Sequence, residues 1–270
     1  MKLNQLRLKN FRSYSRETNI DISDLNVIIG KNDVGKSSIL EALDIFFNGK
    51  PDKNDLCVDN DNSKIEITCL FDDLPEQLIL DDTIETSLSD EFLLNEDGKL
   101  EIKKTFSVSG AGSVSEESVI ISQYPDNENL GDLLSKKRTT LKLQFEELGI
   151  DQEGVNRTKS RELRNAIRNH FYPDGNIATS RTEIKIDGKL DNEDNKKKIW
   201  TNLKKYLPIY SLFFVDKPLT DQDSDIQDPM KEIIKEVLKR DHITPLLEQL
   251  KEAVQTASTN LADDTISKLN

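Results

Sequence analysis

Residues 3–9 (LNQLRLK) alternate apolar and polar positions, the period of a strand with one buried face. Residues 17–22 (ETNIDI) repeat it. Residues 25–29 (LNVII) are almost wholly apolar and stop at Gly30, which predicts a strand buried on both faces. In residues 37–47 (SSILEALDIFF) the pattern changes. Ile39, Leu40, Leu43, Phe46 and Phe47 recur at helical spacing, and Asn48-Gly49 supplies a stop. Further on, strands are predicted at 64–71, 99–108 and 117–124, the last two joined by the flexible connection SGAGS. A short helix is predicted at 86–94. From about 130 to 206 the pattern reads as helical and basic. A strand follows at 208–215 (PIYSLFFV), then helices at about 226–240 and 242–258, and a tail with no stop signal.

These elements predict an α/β chain: a core with a mixed sheet, appended antiparallel strands and a helical lobe. The expected divisions are 1–129 for the core with its antiparallel strands, 130–207 for the helical lobe, and 208–270 for a core strand and helices leading to a C-terminal half.

The chain has 270 residues and a net charge of −13, which argues against a protein that coats nucleic acid nonspecifically. The charge is uneven. Residues 51–130 hold 5 basic and 20 acidic side chains, whereas residues 131–210 hold 17 and 12. No stretch has the length of apolar sequence that spans a membrane, and the N-terminus lacks the apolar core of a signal peptide. Two cysteines, Cys57 and Cys69, fit neither a zinc spacing nor a disulfide framework. A reducing cytoplasm is the expected location.

One motif carries chemistry. Gly30-Lys31-Asn32-Asp33-Val34-Gly35-Lys36-Ser37 fits the P-loop pattern G-x-x-x-x-G-K-[ST], with Ser38 following. The glycines let the backbone curl so that successive N–H groups face phosphate oxygens. The helix that follows presents its positive end to the same anion. Lys36 is placed to reach the β- and γ-phosphates, and the Ser37 hydroxyl to hold Mg²⁺. The expected ligands are ATP and Mg²⁺. A predicted strand enters the loop and an apolar-striped helix leaves it, as the motif requires.

The segments NFRSY (10–14), GKNDVGKSS (30–38) and LEAL (40–43) together resemble the start of RecF, SMC and OLD-family proteins, the ABC-type ATPases of DNA repair and phage defence. The acidic stretch with FDDLP and EFLLNEDGKLEIKK is most similar to OLD-like ATPases. The resemblance implies ATP sandwiched between two heads, hence a homodimer or higher oligomer, acting on DNA or an effector protein. It also implies that Arg12 leans over the nucleotide, while Phe11 is read as core.

Other parts of such a site are missing. There is no LSGGQ-like signature. His170 and His242 read as surface positions. Residues 209–218 mimic a Walker B strand ending in Asp216, but Lys217 stands where a catalytic glutamate belongs. Asp216, Gln222 and Gln123 remain open as the Q-loop position. Residues 78–82 (LILDD) read as a solvated acidic loop. Arg157, Arg161, Arg164 and Arg168, spaced by three or four, read as a basic helix face for DNA, a partner or solvent, together with Lys136, Lys137 and Arg138. The expectation is the N-terminal part of a longer ATPase, weak in hydrolysis alone. The alternatives are a self-contained P-loop kinase and a nucleotide-switched binding module.

Overall fold

The computed structural model describes residues 1–31, 35–58, 63–81, 84–151, 153–187 and 195–212. Cα packing divides the chain into Met1–Tyr210 and Ser211–Asn270. The sheet, its helices and the P-loop all belong to the first unit.

Six strands form one sheet: β1 (Lys2–Lys9), β2 (Thr18–Asp21), β3 (Lys64–Asp72), β4 (Leu100–Val108), β5 (Val114–Pro125) and β6 (Thr179–Asp187), in the order β2-β1-β3-β4-β5-β6. Every pairing among them is antiparallel. The β4–β5 hairpin turns through the predicted SGAGS segment. Among the described residues, four α-helices accompany the sheet: α1 (Lys36–Phe47), α2 (Arg138–Glu147), α3 (Ser160–Phe171) and α4 (Lys196–Leu203).

Alternation decides which side of the sheet is covered. Leu6 and Leu8 of β1, Ile65, Ile67 and Phe71 of β3, and Ile102 and Phe106 of β4 point inward and are fully buried. The apolar stripe of α1 closes over this face. Phe46 lies 6.3 Å and Phe47 6.2 Å, ring to ring, from Phe71. From the other end of the sheet, α4 adds Ile199, Trp200 and Leu203 to the same core. The opposite face carries charged pairs, among them Arg7–Glu101 at 2.9 Å and Lys9–Glu66 at 3.1 Å. A second core forms between α2 and α3 from Leu130, Leu133, Leu141, Phe145, Leu163 and Ile167.

Several expectations change. Residues 25–29 form no strand and lie exposed: Leu25 is 83%, Val27 76% and Ile29 88% accessible. This segment pairs with no described strand, and the parallel pairing of a mixed sheet is not seen among the described residues. Residues 88–92 are turns rather than a helix, with Phe92 at φ 56°. Strand β6 lies within the stretch read as helical; its TSRTEIKID sequence alternates, but the surrounding basic helices obscured it. Residues 208–212 are irregular, and 213–215 lie outside the described residues.

The basic helix face changes as well. Arg164 is fully buried and Arg168 nearly so. Arg164 donates to Asp81 (2.6 and 3.3 Å) and to Glu91 (3.0 and 2.6 Å), and Arg168 donates to Glu91 at 2.9 Å. Arg161 pairs with Asp90 at 2.9 Å and Arg157 with Glu146 at 3.2 Å. These cations are matched by carboxylates, so they offer no basic face to a nucleic acid. Asp81, read as part of a solvated loop, is 4% exposed, and Leu78 and Leu80 beside it are buried. Burial opposes the charge of Glu91, but Arg164 and Arg168 outweigh it and hold its carboxyl below the usual range. The cluster fastens α3 to the loops that cover the sheet.

Candidate nucleotide site

The site begins at a tight turn after β1. Phe11 and Tyr14 exchange backbone hydrogen bonds of 3.1 and 2.8 Å, which forces Asn10 and Arg12 into left-handed backbone, φ 56° and 48°. Asparagine tolerates that conformation because its short amide bonds locally. Here the fully buried Asn10 donates from Nδ2 to the Lys64 carbonyl at 2.8 Å. Phe11 is fully buried, as expected.

This turn props the P-loop. Gly35 sits at φ +93°, and a Cβ placed there would overlap Ser13 Oγ and stand 3.3 Å from the Tyr14 ring. The Tyr14 hydroxyl donates to the Gly35 carbonyl at 3.1 Å. Only glycine meets both demands, a left-handed backbone and a missing side chain. The NFRSY segment and the second P-loop glycine are therefore one unit, though 21 positions separate Tyr14 from Gly35.

Gly35 caps α1, and no side chain bonds the helix start. No acidic residue stands in its first turn, so none there offsets the positive end of α1. Ser37 is exposed, with its hydroxyl at the helix start, and Ser38 is buried. The Lys36 ammonium folds back onto its own loop, donating to the Gly30 carbonyl at 2.8 Å and to the Lys31 carbonyl. Gly30 and Lys31 are exposed; Asn32, Asp33 and Val34 lie outside the described residues.

Arg12 is brought to this side of the fold but is engaged. Its Nε donates to Asp55 Oδ1 at 2.8 Å, its Nη2 pairs with Glu41 of α1, and its backbone N–H donates to the Asp55 carbonyl at 2.8 Å. Glu41 and Asp55 together raise its pKa against the opposing effect of burial. Asp55 is itself held by a 2.8 Å bond from the Asp52 N–H. Sequence reasoning missed both carboxylates. Glu41 lies within the LEAL segment, five residues past Lys36, and that spacing was the available signal.

Gln123 lies elsewhere. It pairs with Arg181 across β5 and β6, on the sheet face away from α1. Asp216, Gln222 and His242 lie outside the described residues. His170 is exposed, as expected, packed edge-on against Phe171 at 5.3 Å. Among the described residues, no group of three or more His, Cys, Asp and Glu is arranged to hold a metal ion, and no helix is long and apolar enough to cross a membrane. Both cysteines are free and buried.

A 51-residue stretch is 47% identical to the DNA replication and repair protein RecF of Chlamydia caviae, covering 18% of this chain and 14% of that protein. Among solved structures, the SMC head domain from Thermotoga maritima aligns over 44% of this chain and 37% of its own, at 19% identity and a TM-score of 0.27, too loose to carry residues across. The chain thus spans well under two thirds of either relative. The family match is broader: residues 1–270 fit the AAA ATPase domain. With its glycine-built phosphate loop and uncapped helix start, this chain belongs to the AAA ATPase domain family, whose ligand is a nucleotide.

Proposed function

We propose that this chain is the ATP-binding N-terminal half of an ABC-type ATPase head, which works as a pair of heads coupled to DNA processing or antiphage defence. One observation carries the reading. The segment that leads into the P-loop, residues 25–29, is mostly apolar yet exposed and pairs with no described strand, while Gly35, beyond it, is already held by the Phe11–Tyr14 turn. Leu25, Val27 and Ile29 would each gain about 2 kcal/mol from burial. A partner supplying neighbouring strands collects that gain, as the second half of a head would.

In this reading ATP displaces the internal bonds of Lys36, whose ammonium moves from two carbonyls onto the β- and γ-phosphates. The bare N-terminus of α1 receives phosphate oxygens. The exposed Ser37 hydroxyl is placed to hold Mg²⁺, which would supply charge neutralisation at the phosphates. Arg12 reaches phosphate only in competition with Glu41 and Asp55. The group that orients the attacking water comes from the second half or the second head.

The test is nucleotide binding by the chain, read by a fluorescent ATP analogue, with turnover measured in parallel. Binding lost in Lys36→Ala, with negligible turnover in the unsubstituted chain, is the expected result. Brisk turnover by the monomer that Lys36→Ala abolishes would refute the half-site reading.

A further inference from the structure

The two edges of the sheet differ. β2, at one edge, has four residues, and an edge that short resists further pairing. β6, at the other, has nine. From Thr179 to Lys185 its register against β5 is regular, and the register shift falls after Lys185. The same stretch holds no proline. Among the described residues, no strand pairs with its outer side, and no backbone hydrogen bond from a turn or loop reaches it. Thr179, Ser180, Arg181 and Glu183 are exposed. Such an edge is a template for one more strand.

The side chains say which strand fits. Ile184 joins the core under the sheet, so Arg181, Glu183 and Lys185 line the other face, alternating in sign. Arg181 is only loosely engaged. Its carboxylate partner, Glu101, lies 3.7 Å away and already accepts from Arg7 and Asn95, both at 2.9 Å. The side chains of Arg181 and Glu183 are 65% and 55% exposed. In an antiparallel pair, residues opposite one another share a face, so two copies of β6 extending one sheet must meet in a register centred on a residue. Centring on Arg181 sets that side chain against itself. Centring on Glu183 opposes Glu183 to itself and Arg181 to Lys185. Centring on Thr182 opposes Arg181 to Glu183 of the second copy at two places and Thr182 to its own counterpart. Centring on Ile184 also opposes unlike charges, but it runs into the irregular end of the strand.

We propose that β6 is a self-pairing edge: two copies of this chain join antiparallel along Thr179–Lys185, centred on Thr182, and their sheets become continuous. β5, β4 and β3 separate β6 from β1, whose turn props the P-loop, so the contact needs no nucleotide and is separate from the pairing of heads proposed above. Unlike charges and threonines directly opposite across strands each add to the pairing. The interface is small, so the dimer should be weak, with a dissociation constant on the order of 100 µM.

The experiment is sedimentation velocity of the full chain without nucleotide, from about 5 to about 500 µM. The chain carries Val27→Thr/Ile29→Thr, so that residues 25–29 do not contribute. A dimer that grows with concentration is expected, and adding Lys36→Ala should leave it unchanged. Arg181→Glu and Glu183→Arg each set like charges opposite one another at both places and should each weaken the dimer at least about tenfold. Mixed in equal amounts, the two variants again oppose carboxylate to guanidinium, and their heterodimer should match the parent dimer within about threefold. Should Glu183→Arg unfold beside Lys103, Arg181→Gln changes only the exposed partner and should weaken the dimer about fivefold. The proposal is overturned by a chain that stays monomeric throughout, by a dimer that Arg181→Glu or Arg181→Gln leaves unchanged, or by a mixture of the two folded variants no more associated than either alone. Association that appears only with ATP would overturn it too, because that contact would belong to the P-loop side.

Discussion

Replacing Arg164 by leucine tests how the α2–α3 lobe is held. The guanidinium is fully buried and donates four hydrogen bonds, two to Asp81 and two to Glu91. Leucine leaves two buried carboxylates facing an apolar side chain. Glu91 keeps the 2.9 Å bond from Arg168 and a 3.4 Å contact from the Thr86 hydroxyl. Asp81 keeps a neutral donor, the Asn195 amide at 2.9 Å. Breaking a buried ion pair from one side costs about 3–5 kcal/mol, and the surviving Arg168–Glu91 pair puts this case near about 3. With a urea m-value of about 2–3 kcal/mol/M, the unfolding midpoint should drop by roughly 1–1.5 M. Trp200, the only tryptophan in the chain, reports the transition from within the core, where its indole N–H donates to Asp187 at 2.9 Å. The double variant Arg164→Leu/Asp81→Leu carries no orphaned carboxylate at position 81 and should recover at least about 1 kcal/mol relative to Arg164→Leu. A single variant within about 1 kcal/mol of the parent, or a double variant less stable than the single, would refute the claim that charge pairing holds α3 in place.

Glu91 gives the same cluster a pH dependence. Its carboxyl titrates below the ordinary value of 4.5 in the folded chain. The stability it contributes is therefore fully present above that value and is lost as pH falls through the folded one. Urea midpoints should decline between pH 5 and 3, and Glu91→Gln should flatten that decline. Gly35→Ala combines a left-handed backbone with overlap on Ser13, so it should cost about 1–3 kcal/mol and weaken nucleotide binding at least tenfold. Gly110→Ala, where a Cβ meets nothing within 4 Å, should leave both unchanged. Val27→Thr/Ile29→Thr should alter the stability of the isolated chain by less than about 0.5 kcal/mol, because these side chains lie in solvent. The same change should reduce its self-association in sedimentation runs.

The strand pattern was legible where alternation was clean. β1, β3, β4 and β5 fall within a residue or a few of their expected positions, and α1 begins at Lys36 as the P-loop demands. β6 was hidden because TSRTEIKID offers two buried isoleucines, Ile184 and Ile186, amid charged neighbours, so its apolar signal is less than half that of β3. The error at α3 has a different origin. Spacing by three and four puts Arg157, Arg161, Arg164 and Arg168 near one another but does not say which way the face points. Asp81 and Glu91, more than 70 positions away in sequence, turn it inward. Burial of a charge depends on a partner that only the tertiary fold supplies. At the candidate nucleotide site, the glycines and Lys36 are named by the P-loop pattern itself. The contact of Ser13 and Tyr14 with Gly35 was visible only as two motifs in one chain, with nothing in either to say that they touch.

The P-loop and the segment before it pose opposite demands. The loop's far end is fixed: Gly35 is clamped by Ser13 and Tyr14, and α1 is packed on the sheet through Phe46 and Phe47. Its near end is the exposed run 25–29, with no strand beside it among the described residues. Lys36 meanwhile satisfies itself on Gly30 and Lys31, the junction between the two. Under the half-head proposal these facts are linked. Docking of a second half would order residues 25–29 and with them the carbonyls that Lys36 now holds, so the competent loop would become the populated one. Apparent nucleotide affinity scales with that population, and thermodynamic reciprocity requires bound nucleotide to strengthen docking by the same factor. On that proposal the loop that would hold the phosphates and the surface that would recruit the partner are consecutive residues.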